Sequence, residues 1–264
     1  MTVRFLHITD THISADQSFS AYGHRPYDNL KQLIAIINEL PYTVDFILHT
    51  GDVVEDGSAA AYQEARRLLA DLRPPVYYVA GNHDHAPDLQ RVLLGIDQPK
   101  ERYDYVFEVG GVRVVVLDSR GKMDPGGELT DDQLIWLRDL CTPDGPPQVI
   151  AIHHEPLVLD VPWLDEITFM PTPMLVSNHA QFMDAVRPAK DRLRGVFFGH
   201  IHRSTQTVQE GILFSSAPST YGALKTYPNL REALPAPEEA PGYCLVTIDE
   251  GRTIIQQYTF ARPT

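Results

Sequence analysis

The sequence predicts an α/β protein in which two mixed β-sheets pack as a sandwich flanked by helices. Two patterns lead there. Short apolar runs rich in β-formers alternate with segments of helical period through the first third of the chain, and a hairpin followed by further strand-length runs fills the rest. At 264 residues, 43% hydrophobic and 22% charged, the chain can bury a full core, and no linker or fixed-period repeat divides it. Residues 1–264 therefore read as a single domain.

The elements follow in order. Residues 3–8 form a buried strand that ends in a polar turn, and residues 11–25 form an irregular loop. Across 28–40, Leu30, Leu33, Ile34 and Ile37 recur at spacings of three and four, which makes an amphipathic helix stopped by Pro41. Residues 46–50 are the next strand. Ser58 caps a helix over 59–72 that Pro74-Pro75 ends, and 76–80 is the third strand. Such a β-α-β-α-β alternation implies parallel strands joined by right-handed crossovers. Residues 103–109 and 112–117, separated by Gly110-Gly111, are a hairpin. Thr130 and Gln133 make a capping box ahead of a helix carrying Leu134, Trp136, Leu137 and Leu140. Strands at 149–152 and 196–198 enclose a helical segment near 178–186. The runs 205–208, 212–215, 243–248 and 253–260 read as a closing antiparallel series, with a Pro/Glu-rich surface loop at 235–241.

Composition narrows the function. A net charge of −13 argues against a nucleic-acid groove, since duplex binders cluster Lys and Arg. Two cysteines, Cys141 and Cys244, imply no disulfide framework. The strand-like start runs straight into Asp10, unlike a signal peptide, and no apolar run approaches the roughly 18 residues of a membrane span. A cytoplasmic protein without a membrane partner is the expectation.

The chemistry collects at strand ends. Asp10-Thr11-His12, Gly51-Asp52, Gly81-Asn82-His83-Asp84, His153-His154 and Gly199-His200-Ile201-His202 each follow an apolar run. In open α/β sheets, ligands bind beyond the carboxyl ends of the strands. Carboxylate oxygen and imidazole nitrogen without thiolate suit Mn, Fe or Zn. Asp52, in its tight turn, is the natural bridge between two ions, and Asn82 offers a neutral carbonyl oxygen. Taken singly the pairs are ordinary turn chemistry; together they read as a metal site. His7, His49 and His179 read as core or surface residues, His24 as a loop residue and His85 as a candidate second layer. Trp163, Phe169 and Met170 either cap the pocket, form a subunit contact or merely pack. A phosphate-binding Gly-rich loop, a nucleophile elbow and a zinc helix are missing, because Val158 ends the His154-Glu155 run where a second His would be needed.

These blocks, in this order over residues 10–202, resemble the calcineurin-like metallophosphoesterase superfamily. Residues 105–119 and 127–137 are similar to scaffold stretches of its class III cyclic-nucleotide phosphodiesterase branch. The resemblance implies a four-layer αββα fold and two divalent or mixed-valence ions of Mn, Fe or Zn. It implies one metal on Asp10, His12, Asp52 and His202, and a second on Asp52, Asn82, His153 and His200. The family's His-His-Pro-Pro reads His153-His154-Glu155-Pro156 here. The first histidine is normally the ligand, so His153 is chosen over His154. The implied reaction is in-line attack of a metal-bridging hydroxide on a small phosphodiester such as cyclic AMP. His83 would bind a phosphoryl oxygen or protonate the leaving alkoxide, with Asp84 orienting its imidazole. Two divalent ions, two carboxylates and hydroxide leave one net positive charge, which a diester monoanion neutralises. A phosphomonoesterase or pyrophosphohydrolase on the same metals, and a non-catalytic scaffold on this fold, are the competing readings. The branch resemblance suggests a homodimer.

Overall fold

In the computed structural model, which describes residues 2–167, 170–249 and 251–262, the strands divide between two sheets. The first contains β1 (Val3–Ile8), β2 (Phe46–His49) and β3 (Val76–Tyr78), with β10 (Gly242–Asp249) and β11 (Arg252–Thr259), in the order β11-β10-β1-β2-β3. The second contains β4 (Tyr105–Val109), β5 (Val112–Leu117), β6 (Gln148–Ile152), β7 (Leu193–Phe198), β8 (Gln206–Gln209) and β9 (Ile212–Ser216), in the order β4-β5-β6-β7-β9-β8. Strands β1 to β3 are mutually parallel, as are β5, β6, β7 and β9.

Strand alternation sorts the side chains into layers. On β1, Val3 and Phe5 enter the core between the sheets, while Leu6 and Ile8 face the helices α1 (Pro26–Asn38) and α2 (Ala59–Leu69). Phe5 stacks on Phe46 of its own sheet at 4.9 Å and meets Phe197 of the other edge-on at 5.2 Å. On β5, Val112, Val114 and Val116 enter the same core. Val115 and Leu117 join the outer core under α4 (Asp131–Leu140) and α6 (His179–Val186). Between these helices come the one-turn α3 (Ala86–Asp88) and α5 (Pro162–Asp165). The result is the expected helix–sheet–sheet–helix sandwich. Burial of each large aliphatic chain contributes about 1.5–3 kcal/mol, so these cores anchor both sheets firmly.

Local signals account for most elements. Pro26 opens α1 at its first turn, where its missing N–H costs nothing. Ser58 Oγ accepts from Ala61 N at the start of α2, and the Thr130–Gln133 capping box forms at α4. Gly110 and Gly111, both at positive φ, turn the β4–β5 hairpin. Two expectations need correction. α1 begins and ends two residues early, and α2 ends at Leu69 rather than 72. The last four strands are not one antiparallel series. The β8–β9 hairpin joins the second sheet with β9 parallel to β7, and β10–β11 crosses to the first sheet against β1. Periodicity marks a strand but not its sheet; here the long connection over 217–241 carries the chain across.

Candidate metal centre

The carboxyl ends of β1, β2, β3, β6 and β7 meet at one rim of the sandwich, and seven candidate donors stand there. Asp10, His12, Asp52 and His202 each place a ligating atom within 4.8 Å of the others. His202 Nε2 lies 3.5 Å from Asp10 Oδ1 and 3.2 Å from His12 Nε2. Asp52 Oδ2 sits in the middle, 3.5 Å from His12 Nε2 and 3.4 Å from His153 Nε2. His153 Nε2 is 3.1 Å from Asn82 Oδ1, and the His200 ring lies 5.0 Å from the His153 ring.

Backbone pairing fixes these loops. Asp10 N donates to Gly51 O and His12 N to Asp52 O, each at 3.0 Å, so the turns after β1 and β2 run side by side. His200 N donates to Asp10 at 3.1 Å, tying the rim across 190 positions of sequence. Asp10, His12, Asp52, His200 and His202 all adopt positive φ, between 44° and 68°. Each costs about 1–2 kcal/mol in the left-handed region, and strain of this kind clusters at functional sites. Gly81 and Gly199 permit the close approach: a Cβ on Gly81 would overlap Asp52 Oδ1, and one on Gly199 would overlap Thr9 Oγ1.

His12, His153 and His202 each have Nδ1 engaged by the protein, which orients the ring. His153 Nδ1 donates to Thr50 O and His202 Nδ1 to Gly222 O, both at 2.8 Å, leaving Nε2 toward the rim. His12 Nδ1 meets Glu55 Oε2 at 2.9 Å. His200 Nε2 is buried and has no hydrogen-bond partner. His154 differs: Ser119 Oγ engages its Nδ1 at 2.8 Å and Pro125 O its Nε2 at 2.9 Å. It lies near His153 and His200, yet both its nitrogens are occupied. Residues 153 and 154 therefore point to different partners, as a pleat requires.

Electrostatics agree with a cation site. Burial opposes ionisation of Asp52, but the charges of His153 and His83 hold its carboxyl well below the usual range. Burial would lower His153; the Asp52 charge and hydrogen bond lift it instead to about 10. Burial lowers His200 and His202, so both are neutral donors. Oxygen from Asp10, Asp52 and Asn82, imidazole from four histidines and an orphaned His200 Nε2 fit two transition-metal ions.

Asp84 requires a correction. Its carboxylate does not touch the His83 imidazole; it accepts from Gly81 N at 2.9 Å, Tyr62 Oη at 2.9 Å and Val53 N at 3.2 Å. Consecutive side chains in this turn point apart, and the buried carboxylate captures the orphan amides of the Gly81 and Val53 loops. His83 is exposed, donates its backbone N–H to Asp52 Oδ1 at 2.9 Å and engages Glu55 O through Nδ1 at 2.7 Å. Desolvation by the surrounding rim lowers its pKa although one edge of the ring is open to solvent, and the Asp52 charge with the Glu55 carbonyl more than offsets this, for a net rise. His85 turns outward to Asp88 at 2.8 Å and takes no part. His7 and His49 are buried on Thr50 and Thr11, and His24 is a buried loop residue.

Sequence reasoning missed Glu55, Ser219 and Tyr221. Glu55 orients His12; Ser219 Oγ donates to Asp10 O at 2.8 Å; Tyr221 lies against the His12 ring at 4.4 Å. Glu55, three residues past Asp52 in a turn, was discoverable as a spare acid near a ligand; the other two come from a stretch without periodicity. Above the rim opens a cavity of about 260 Å³ floored by His12, Asp52, Asn82, His83, His200 and His202. Trp163 and Met170 line it, with Trp163 Nε1 donating to Lys225 O; Phe169 lies outside the described residues.

Among the described residues no helix is long and apolar enough to cross a membrane. The family model for calcineurin-like phosphoesterases matches residues 3–204. A 3′,5′-cyclic adenosine monophosphate phosphodiesterase, CpdA, from Pseudomonas aeruginosa is 30% identical over 220 residues, 83% of this chain and 76% of that protein. A cAMP/cGMP dual specificity phosphodiesterase from Mycobacterium tuberculosis is 32% identical over 224 residues, 81% of this chain and 66% of the relative. A dimetal phosphatase from Danio rerio shares the fold, with a TM-score of 0.70 at 16% identity over 97% of this chain and 96% of that one. The rim of strand-end donors and the matched motifs agree: this chain belongs to the calcineurin-like phosphoesterase family.

Proposed function

We propose that this protein is a dinuclear metal-dependent phosphodiesterase that hydrolyses small phosphodiesters, with 3′,5′-cyclic nucleotides such as cAMP as substrates. The observation that carries the reading is the position of Asp52 Oδ2, about equally far from His12 and His153 and so placed to serve two cations. Asp10, His12, Asp52 and His202 would hold one ion, and Asp52, Asn82, His153 and His200 the other, drawn from Mn, Fe or Zn. Bound there, the ions supply Lewis acidity at the phosphoryl oxygens and an acidified water.

The chain's own groups supply the rest. Glu55 holds the His12 ring, while Thr50 O and Gly222 O hold those of His153 and His202, so Nε2 of each is turned toward the rim, where a cation would take the place of a proton. His83 gives its Nδ1–H to Glu55 O, and the Asp52 and Glu55 groups that raise its pKa favour the imidazolium, whose Nε2–H can donate to a phosphoryl oxygen or to the departing alkoxide. Asp84 acts at one remove, fixing the turn that carries Asn82 and His83. Residues 1–264 act as one domain on this reading, because β10–β11 complete the sheet that β1 begins. It carries with it the cytoplasmic location and homodimer expected from the sequence; sedimentation tests the latter. Manganese-loaded protein should cleave bis-p-nitrophenyl phosphate and cAMP, and Asp52→Ala and Asn82→Ala should abolish both activities. Retained turnover in the two variants would end the proposal.

A further inference from the structure

The cavity above the rim is lined by aromatic and aliphatic side chains that the chemistry leaves unused. Resting on the diesterase reading, we propose that Tyr22, backed by Tyr221, is an aromatic shelf that selects diesters bearing a planar base and a single phosphate. Tyr221 packs on His12 at 4.4 Å, and Tyr22 meets Tyr221 edge-on at 5.7 Å, so an aromatic series leads from a rim donor to the mouth. Trp163, Met170, Met174 and Leu224 line the same cavity. Tyr22 is held there at a conformational cost. Ala21 and His24 exchange backbone hydrogen bonds at 3.1 and 2.9 Å around Tyr22-Gly23, and both central residues have positive φ, 52° and 77°. That is the type I′ pattern, where Asn-Gly is preferred and a tyrosine is not. His24, buried against Gly222, docks the turn beside Tyr221. Yet the Tyr22 side chain gains little burial for this, being 47% exposed. Strain that presents an exposed ring to a cavity points to a bound π-face.

The second half of the proposal rests on charge. The described residues lining the cavity include Glu55 but no lysine or arginine. With His83 committed to the phosphate seated on the rim, a further phosphate or carboxylate would find no second cationic partner among the described lining residues. A nucleoside cyclic monophosphate fits; a nucleoside diphosphate or triphosphate does not.

Tyr22→Asn creates the favoured Asn-Gly turn and removes the ring, so its thermal midpoint should equal or exceed that of wild type. In manganese-loaded protein, the ratio of kcat/KM for cAMP to that for glycerophosphoethanolamine should fall about tenfold or more, the loss of one base stack, and Tyr22→Phe should restore it. ATP should be cleaved far more slowly than cAMP. Calorimetric binding of the product AMP reads the shelf without turnover, and its Kd should rise about as much in Tyr22→Asn. An unchanged ratio and unchanged AMP affinity overturn the shelf even if diesterase activity is present. AMP binding that depends on Tyr22 without diester turnover would uphold the shelf and strike the catalytic reading alone.

Discussion

The donor rim and the two long connections that roof it are built on opposite terms. The rim sits at the ends of buried parallel strands, its loops cross-bonded and five of its donors strained into left-handed backbone. The described residues of the roof, 155–167, 170–176 and 217–241, hold one short helix and otherwise irregular chain. It leaves Val158, Ile167, Tyr227 and Leu234 exposed, and its two halves are joined by bonds such as Trp163 N to Leu230 O at 3.1 Å and Trp163 Nε1 to Lys225 O at 2.9 Å. Five strained donors cost roughly 5–10 kcal/mol together, comparable to the whole stability of a domain. Only anchored strand ends can sustain that. Positional accuracy is therefore placed in the sheets, and the roof, apart from Ser219 and Gly222 that hold Asp10 and His202, is chain that can vary without disturbing them.

The contrast can be broken from the rim side first. Asp52→Ala should reduce bis-p-nitrophenyl phosphate turnover by about a thousandfold or more, since it removes the shared carboxylate; metal analysis should show the loss of bound ions alongside. Retention of both would mean the rim is not a paired site. Gly81→Ala should cost about a hundredfold in kcat, as the new methyl displaces Asp52 by a fraction of an ångström or more. Its circular dichroism should match wild type; an active variant would show that the rim tolerates motion.

Glu55→Gln should weaken metal affinity by about 10–100-fold, the usual range for an outer partner of a ligating histidine, and a metal titration reads this directly. If affinity is unchanged, His12 is oriented without its carboxylate. The smallest effect concerns a buried histidine inside the sandwich. Burial, partly offset by the Phe198 carbonyl, lowers His7 from 6.5 to about 3. The folded state thus binds its proton less readily than the unfolded state does. The stabilisation is complete above pH ~6.5 and is lost as pH falls toward 3. Between pH 7.5 and 5 this residue alone should cost on the order of 2 kcal/mol. Urea unfolding at both pH values, with His7→Phe as the comparison, checks the slope. A variant falling as steeply as wild type would exclude His7 as the cause.

Much of the architecture was legible in the chain. The parallel β1–β3 order, the Gly110-Gly111 hairpin and both helix caps rest on residues within a few positions of one another. The rim donors were legible for a related reason: each falls just past an apolar strand, and parallel strands bring such ends together. The role expected of Asp84 failed because adjacency in sequence was taken for contact, whereas its carboxylate turns toward Val53 and Tyr62. Glu55 on His12 and Ser219 on Asp10 are pairings across 43 and 209 positions that no local pattern encodes.

By itself, then, the sequence determined which segments are helices and strands and which donor types stand at strand ends, because spacing and side-chain chemistry are properties of near neighbours. Only the tertiary structure decided which sheet each closing hairpin joins, why His154 differs from His153, and how Tyr22 and Tyr221 come to line one cavity with Trp163 and Met174. Those outcomes depend on how distant loops share space and satisfy buried polar groups, and that balance exists only once the whole core has packed.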